Sequence, residues 1–242
     1  MRIDILTLFP EMFESTLGSS IIGKAVENGV LDIRYTQIRE FAANKHRQVD
    51  DYPYGGGRGM VMQCQPIYDA YCSVCEDGKK PKTIYLSPQG KVFRQSTAKR
   101  LSKEERLIFL CGHYEGVDQR VLDEIVDEEI SIGDFVLTGG EIAAMAVIDA
   151  TARLIPGVLP DKEAYSEESH FNGLLEYPQY TRPAQWRGKT VPEELLSGHH
   201  KNIAVWKRRM SIRNTFLKRR GMLRTAKLTE EERAFAEALK KK

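Results

Sequence analysis

The sequence predicts an α/β protein: a mostly parallel sheet with helices on both faces, followed by a small, basic, helical domain. Three observations carry this. Short apolar runs of strand length alternate with segments of helical apolar spacing over the first two-thirds of the chain. Glycine-bearing stretches stand at the ends of three strand-like runs, and a polar, aperiodic break follows "ARLIPGVLP".

Taken in order, "IDILTL" (residues 3–8) is a strand and "SSIIGKAVENGV" (19–30) a helix with a Ser cap. "LDIRYTQI" (31–38) alternates as a strand. Residues 39–60 fit neither period, and a stretch of that length is suspected of function. "QPIYDAYCSVCED" (65–77), "FRQSTAKRLSKEE" (93–105) and "VDQRVLDEIV" (117–126) have helical spacing. The apolar runs "KTIYLS" (82–87), "RLIFLCG" (106–112) and "SIGDFVL" (131–137) lie among them as strands, and "IAAMAVIDATARLI" (142–155) is a long apolar helix. Domain boundaries follow: a large domain over 1–160, a linker over 161–173 and a helical domain over 174–242. The last holds helical patterns at 192–196, 202–220 and 229–242.

A hydrophobic fraction of 41% with 29% charged residues describes a soluble globular chain. No apolar run reaches the roughly eighteen residues a membrane span needs. The apolar N-terminus meets Glu11 too early for a signal peptide, so the expected setting is the cytoplasm. Cys72 and Cys75 have zinc-like spacing, but no second pair completes a tetrahedral site. The net charge of +2 hides a division. Trp186 to Lys227 holds twelve Lys/Arg against two Asp/Glu, which points to a polyanion partner for this part.

Four motifs carry the chemistry. "YGGGRGM" (54–60) places four glycines in five residues, which fits either a mobile loop or close approach of a ligand to the backbone. "YLSPQG" (85–90), "LCGHYEGVDQR" (110–120) and "SIGDFVLTGGE" (131–141) follow or end strands. In a parallel sheet those ends share one edge, where open α/β sheets bind ligands. Neither G-x-x-x-x-G-K-[ST] nor G-x-G-x-x-G occurs, so an adenosine-type group is favoured over a di- or triphosphate. His113 is weighed as a base and read as structural. Arg153 serves either the helix dipole or a developing anion. Glu168 and Glu176 are carboxylates available to a substrate strap. A nucleotide-dependent oxidoreductase and a non-catalytic RNA-binding module remain as rival classes.

These motifs, with "RLIPGVL" and "GLLEYPQYTRP" in the same order, resemble the bacterial tRNA (guanine-37-N1)-methyltransferases of the SPOUT class over essentially the full chain. The resemblance implies a parallel sheet with a C-terminal trefoil knot, which the ordinary rule against threaded connections would not suggest. It implies a small all-α C-terminal domain, a homodimer with the active site at the subunit interface, and S-adenosylmethionine as methyl donor. It also implies magnesium and, as substrate, tRNA with guanine at position 37. By matching position, the donor site includes Tyr85, Leu86, Pro88, Gly112, Tyr114, Glu115 and Gly116. Ile132, Gly133, Asp134, Phe135, Val136 and Leu137, with Gly139 and Gly140, hold adenine and ribose, and Gly59 approaches from the glycine-rich loop. Arg153 matches the catalytic arginine. Glu168 stands where the family often has Asp as general base, and Glu168 and Glu176 are the expected magnesium ligands.

Overall fold

A strand that is apolar on both faces must be covered on both sides, and the central strands here are of that kind. The computed structural model describes residues 1–75, 80–161 and 163–241, and the chain forms two compact units, Met1–Asp161 and Lys162–Lys242. The first unit begins with β1 (Arg2–Thr7), α1 (Glu11–Leu17), α2 (Ser20–Glu27), β2 (Asp32–Gln37), β3 (Asp50–Asp51) and β4 (Val61–Met62). It continues with α3 (Cys64–Val74), β5 (Lys82–Val92), α4 (Gln95–Leu101), β6 (Arg106–Cys111), α5 (Gln119–Ile125), β7 (Glu128–Ser131) and α6 (Glu141–Ala152). Five strands pair in the order β2-β1-β6-β5-β7, all parallel.

Side-chain alternation sorts the helices. Ile3, Ile5, Leu107 and Phe109 pack with Phe13, Leu17, Ala144, Val147 and Ile148 on the face covered by α1, α2, α4 and α6. Leu6, Ile108 and Leu110 face the other way, onto Ile67 and Ala70 of α3 and Val121 and Ile125 of α5. Each fully buried side chain of this size stabilises the fold by about 1.5–3 kcal/mol. The one buried charge in β1, Asp4, is 0% exposed and is matched by Arg2 at 2.8 Å and Arg106 at 2.9 Å. Removing either guanidinium from a buried carboxylate is costly, so the pair fixes β1 beside β6.

The structure departs from the sequence reading in several elements. Helix α1 was not anticipated; Pro10 opens it, Glu11 and Glu14 occupy its first turn, and Phe13 and Leu17 anchor it. Ser19 precedes α2 as expected, but its hydroxyl donates to Ser15 O and makes no cap bond. "YLSPQG" is not a loop beyond a strand: β5 runs through it, with Leu86 and Lys91 both registering on Ile130. The residues between bulge out of the ladder. The run 131–137 is not a strand either, because β7 ends at Ser131. There the Ser131 hydroxyl donates to Gly133 O and accepts from Gly133 N, and Phe135 N–H returns to Gly133 O. These local bonds replace the ladder and release Ile132–Leu137 as a loop. The ends of the expected helices at 65–77 and 229–242 lie outside the described residues at 76–77 and 242.

The second unit contains α7 (Glu163–Ser166), β8 (Gln185–Trp186), β9 (Lys189–Thr190), α8 (Glu193–Leu196), α9 (His200–Arg219) and α10 (Glu230–Ala238). It is therefore not all-α: β8 and β9 form an antiparallel hairpin. Arg187 and Gly188, at φ 49° and 75°, supply the two positive angles of its two-residue turn. Leu174, Ile212, Ala226 and Ala236 form the core. Thr215, 0% exposed on α9, accepts from Leu175 N–H at 2.8 Å, and Asn214 donates to Glu176 O at 2.8 Å. The stretch expected as a linker at 161–173 belongs to this unit from residue 162, and its polar residues close turns. Glu168 N–H donates to Tyr165 O, Phe171 N–H to Glu168 O and His170 N–H to Leu174 O. Residue 162 lies outside the described residues. Among the described residues no helix is long and apolar enough to cross a membrane.

Candidate active site

Parallel strands deliver their C-terminal ends to one edge, and a cleft of about 290 Å³ opens there. Its walls are the β5 bulge, the loop after β6 and the loop after β7. The last two are tied together: Gly140 N–H donates to Gly112 O at 2.8 Å, and His113 and Gly139 form an antiparallel bridge. A third segment is stitched on from outside. Glu115 N–H donates to Met60 O at 3.0 Å, Met62 N–H to Gly116 O at 2.9 Å and Asp118 N–H to Met62 O at 3.0 Å. The glycine-rich stretch thereby ends against the cleft loop. Gly59, at φ +83°, lies so close to the Glu115 side chain that a Cβ there would collide with it.

The walls are mixed in character. Phe135 and Val136 are 54% and 81% exposed, an apolar surface left open by the loss of the strand after Ser131. Opposite lie polar groups at Glu115, Gln119 and Glu129. Burial, with the Glu129 charge a smaller cause, pushes the Tyr85 hydroxyl up to about 12, so it stays a neutral donor or acceptor at neutral pH. Burial, reinforced by Glu141, also raises the Cys111 thiol well above its usual range. A fully buried neutral thiol is not a nucleophile, and Cys111 is core. Glu141 is 2% exposed and accepts from the Thr7 hydroxyl at 2.8 Å. It occupies the first turn of α6 and is buried there.

The structure brings most of the expected donor-site residues together. Tyr85, Leu86, Pro88, Gly112, Tyr114, Glu115 and Gly116 line the cleft, as do Ile132, Gly133, Phe135, Val136, Leu137, Gly139 and Gly140. Asp134 lies in the same loop without lining it, and Gly59 flanks it through Glu115. Arg153 ends α6, its N–H bonded to Asp149 O at 3.2 Å. Glu168 and Glu176 belong to the second unit. Its neighbour Glu167 is committed to Lys207 at 3.3 Å and the Tyr177 hydroxyl at 3.2 Å. Glu176 Oε1 accepts from Gln179. Among the described residues no group of three or more His, Cys, Asp or Glu side chains is placed to hold a metal ion.

Some cleft residues were not anticipated: Gln89, His113, Gln119, Glu129 and Thr138. Gln89 lies inside the "YLSPQG" stretch already singled out, but the match by position named only Tyr85, Leu86 and Pro88 of it. Glu129 gave no such signal, because only the pairing of β7 with β5 turns it to this edge. In the second unit, a cavity of about 610 Å³ beside the end of α9 is lined by Arg220, Arg224, Arg233 and Lys240 over Phe216, Leu223 and Leu228. Glu237 lines it as well, so its charged groups are four cations and one carboxylate.

The sequence is similar to known proteins over most or all of its length. The sequence profile described as tRNA (Guanine-1)-methyltransferase TrmD matches residues 1–225. A tRNA (guanine-N(1)-)-methyltransferase of Ruminiclostridium cellulolyticum is 59% identical over 220 residues, covering 90% of this chain and 94% of the relative. One of Alkaliphilus oremlandii is 55% identical, and one of Clostridium botulinum strain Kyoto is also 55% identical, each over the full length of both chains.

Proposed function

The chain belongs to the tRNA (guanine-1)-methyltransferase family, and on that premise we propose that it transfers a methyl group from S-adenosylmethionine to N1 of guanine 37 in tRNA. The observation that carries the reading is the cleft built from three loops at one sheet edge. Its residues fit an adenosyl group: an apolar wall at Phe135 and Val136, and close main chain at Gly140. A Cβ on Gly140 would stand 3.0 Å from Cys111 Cα and 3.2 Å from Gly112 N, so the two loops are in contact because this residue has no side chain.

S-adenosylmethionine, when bound, supplies a methyl group on a sulfonium, ready for transfer to a nucleophile. Guanine N1 carries a proton and is a poor nucleophile until that proton leaves. A carboxylate must take the proton, and a cation must meet the negative charge that collects on O6. In this reading Glu168 takes the proton and Arg153 faces O6. Glu replaces the family's frequent Asp with one more rotatable bond in the side chain, while backbone bonds to Tyr165 and Phe171 hold the main chain at this position. The target base leaves the anticodon-loop stack to reach the cleft, while the basic second unit holds phosphates. The homodimer and the trefoil knot belong to the same proposal. Tyr54 and Val136, 99% and 81% exposed in one chain, support a second subunit over the loops.

Calorimetric titration of S-adenosylmethionine into the protein tests the cleft. Wild-type chain is expected to bind, and Gly140→Ala to bind at least tenfold more weakly, because the added methyl pushes apart backbone that cannot yield cheaply. Equal binding by a folded Gly140→Ala variant places the donor elsewhere.

A further inference from the structure

The mechanism leaves one buried acid unused. Glu141 is 2% exposed, and its Oε1 accepts from the Thr7 hydroxyl at 2.8 Å. That hydroxyl in turn accepts from Phe9 N–H at 3.0 Å. The other oxygen, Oε2, presses on Gly139 from the side where a Cβ would be. His113 Nδ1 presses on the same point, 2.6 Å from that Cβ position. Nδ1 is buried and has no hydrogen-bond partner; His113 is among the residues that line the cleft, and its ring lies 5.0 Å from Phe9 and 5.1 Å from Tyr114 between centroids. A buried carboxylate is costly unless it satisfies donors, and a buried ring nitrogen is costly unless it is satisfied. Nδ1 is the group without a partner, and Glu141 Oε2 is an acceptor that faces the same point.

We propose that Glu141 and His113 form a positioning pair beneath the cleft: Glu141 Oε2 holds a proton on His113 Nδ1, which leaves Nε2 on the outward side of the ring, turned from Gly139. The carboxylate fixes the tautomer, as second-layer carboxylates do for histidines in other sites. Gly139 is the spacer the pair requires, because any side chain there would occupy the point on which both atoms converge. Through the His113–Gly139 bridge the pair also sets the spacing of the two loops. Neither residue touches the reacting methyl; both act on how tightly the donor is held. The consequence for donor affinity rests on reading the cleft as the S-adenosylmethionine site, whereas the tautomer does not.

Nitrogen-15 NMR of His113 in the ligand-free protein tests the pair directly. Wild type is expected to carry the proton on Nδ1; a bare Nδ1 with the proton on Nε2 would overturn the proposal, and no variant is needed. In Glu141→Gln the amide oxygen takes the Thr7 hydroxyl and the NH2 group faces the ring, so the proton should move to Nε2. An unchanged tautomer in folded Glu141→Gln also contradicts it. Donor KM should rise roughly ten- to a hundredfold in this variant, with kcat and tRNA KM little changed. A merely structural role would lower the melting temperature and active fraction without that split or the tautomer change. Wild-type protein that shows the Nδ1 proton yet binds no S-adenosylmethionine would leave the pair standing and remove the reading of the cleft.

Discussion

Glu168 and Arg153 carry the proposed chemistry, and each has a separable signature. Glu168→Ala should bind S-adenosylmethionine nearly as wild type and lose most of its methylation rate; single-turnover methylation at the wild-type rate would remove it as the base. Arg153→Ala should lower kcat more than it raises tRNA KM, since charge on O6 is met only as the reaction proceeds. The reverse split would make Arg153 a tRNA-binding residue. At this scale the cleft was largely legible. Tyr85, Gly112, Glu115 and Gly140 sit in short motifs that matched the family's by position, and all four line the cleft. The role of Glu141 was not legible, because its partner Thr7 lies 134 residues away. His113 read as structural for the same reason: a buried nitrogen facing a glycine in another loop leaves no trace in spacing.

Elements were read well where periodicity had tertiary support and poorly where local hydrogen bonds decided. Strands β1, β5 and β6 follow apolar runs that the sheet buries on both faces. The run after β7 is just as apolar, but the Ser131 hydroxyl closes a turn onto Gly133, and Phe135 and Val136 become cleft wall. Periodicity reports apolarity and cannot tell a buried strand from an exposed apolar loop. Helix α10 illustrates the converse. Thr229 and Glu232 form a reciprocal capping box, and Glu232 also pairs with Arg208 of α9 at 2.7 Å. Thr229→Ala is expected to cost about 1 kcal/mol in a denaturant titration. The Arg208 hydrogen bond holds the Glu232 carboxyl below the usual carboxylate range, against the opposing effect of burial. Its contribution is therefore complete above that range and is lost as pH falls through the depressed value. Melting curves from neutral pH downward should show this loss in wild type and a shallower decline in Glu232→Gln; identical slopes would exclude it.

For the whole molecule, charge separates the tasks. The sheet unit holds the cleft, and the basic stretch from Trp186 to Lys227 lies wholly in the second unit. Binding to tRNA should weaken steeply with salt, because each phosphate contact releases counterions, while S-adenosylmethionine binding should change little. Equal salt dependence of the two would argue against this division. The most direct test of the central claim is incubation with methyl-labelled S-adenosylmethionine and unmodified tRNA transcripts, with guanine or another base at position 37, followed by nucleoside identification. The account predicts label on N1 of guanine 37 and none in the transcript lacking it. Label at another position, or equal labelling of both transcripts, would contradict it.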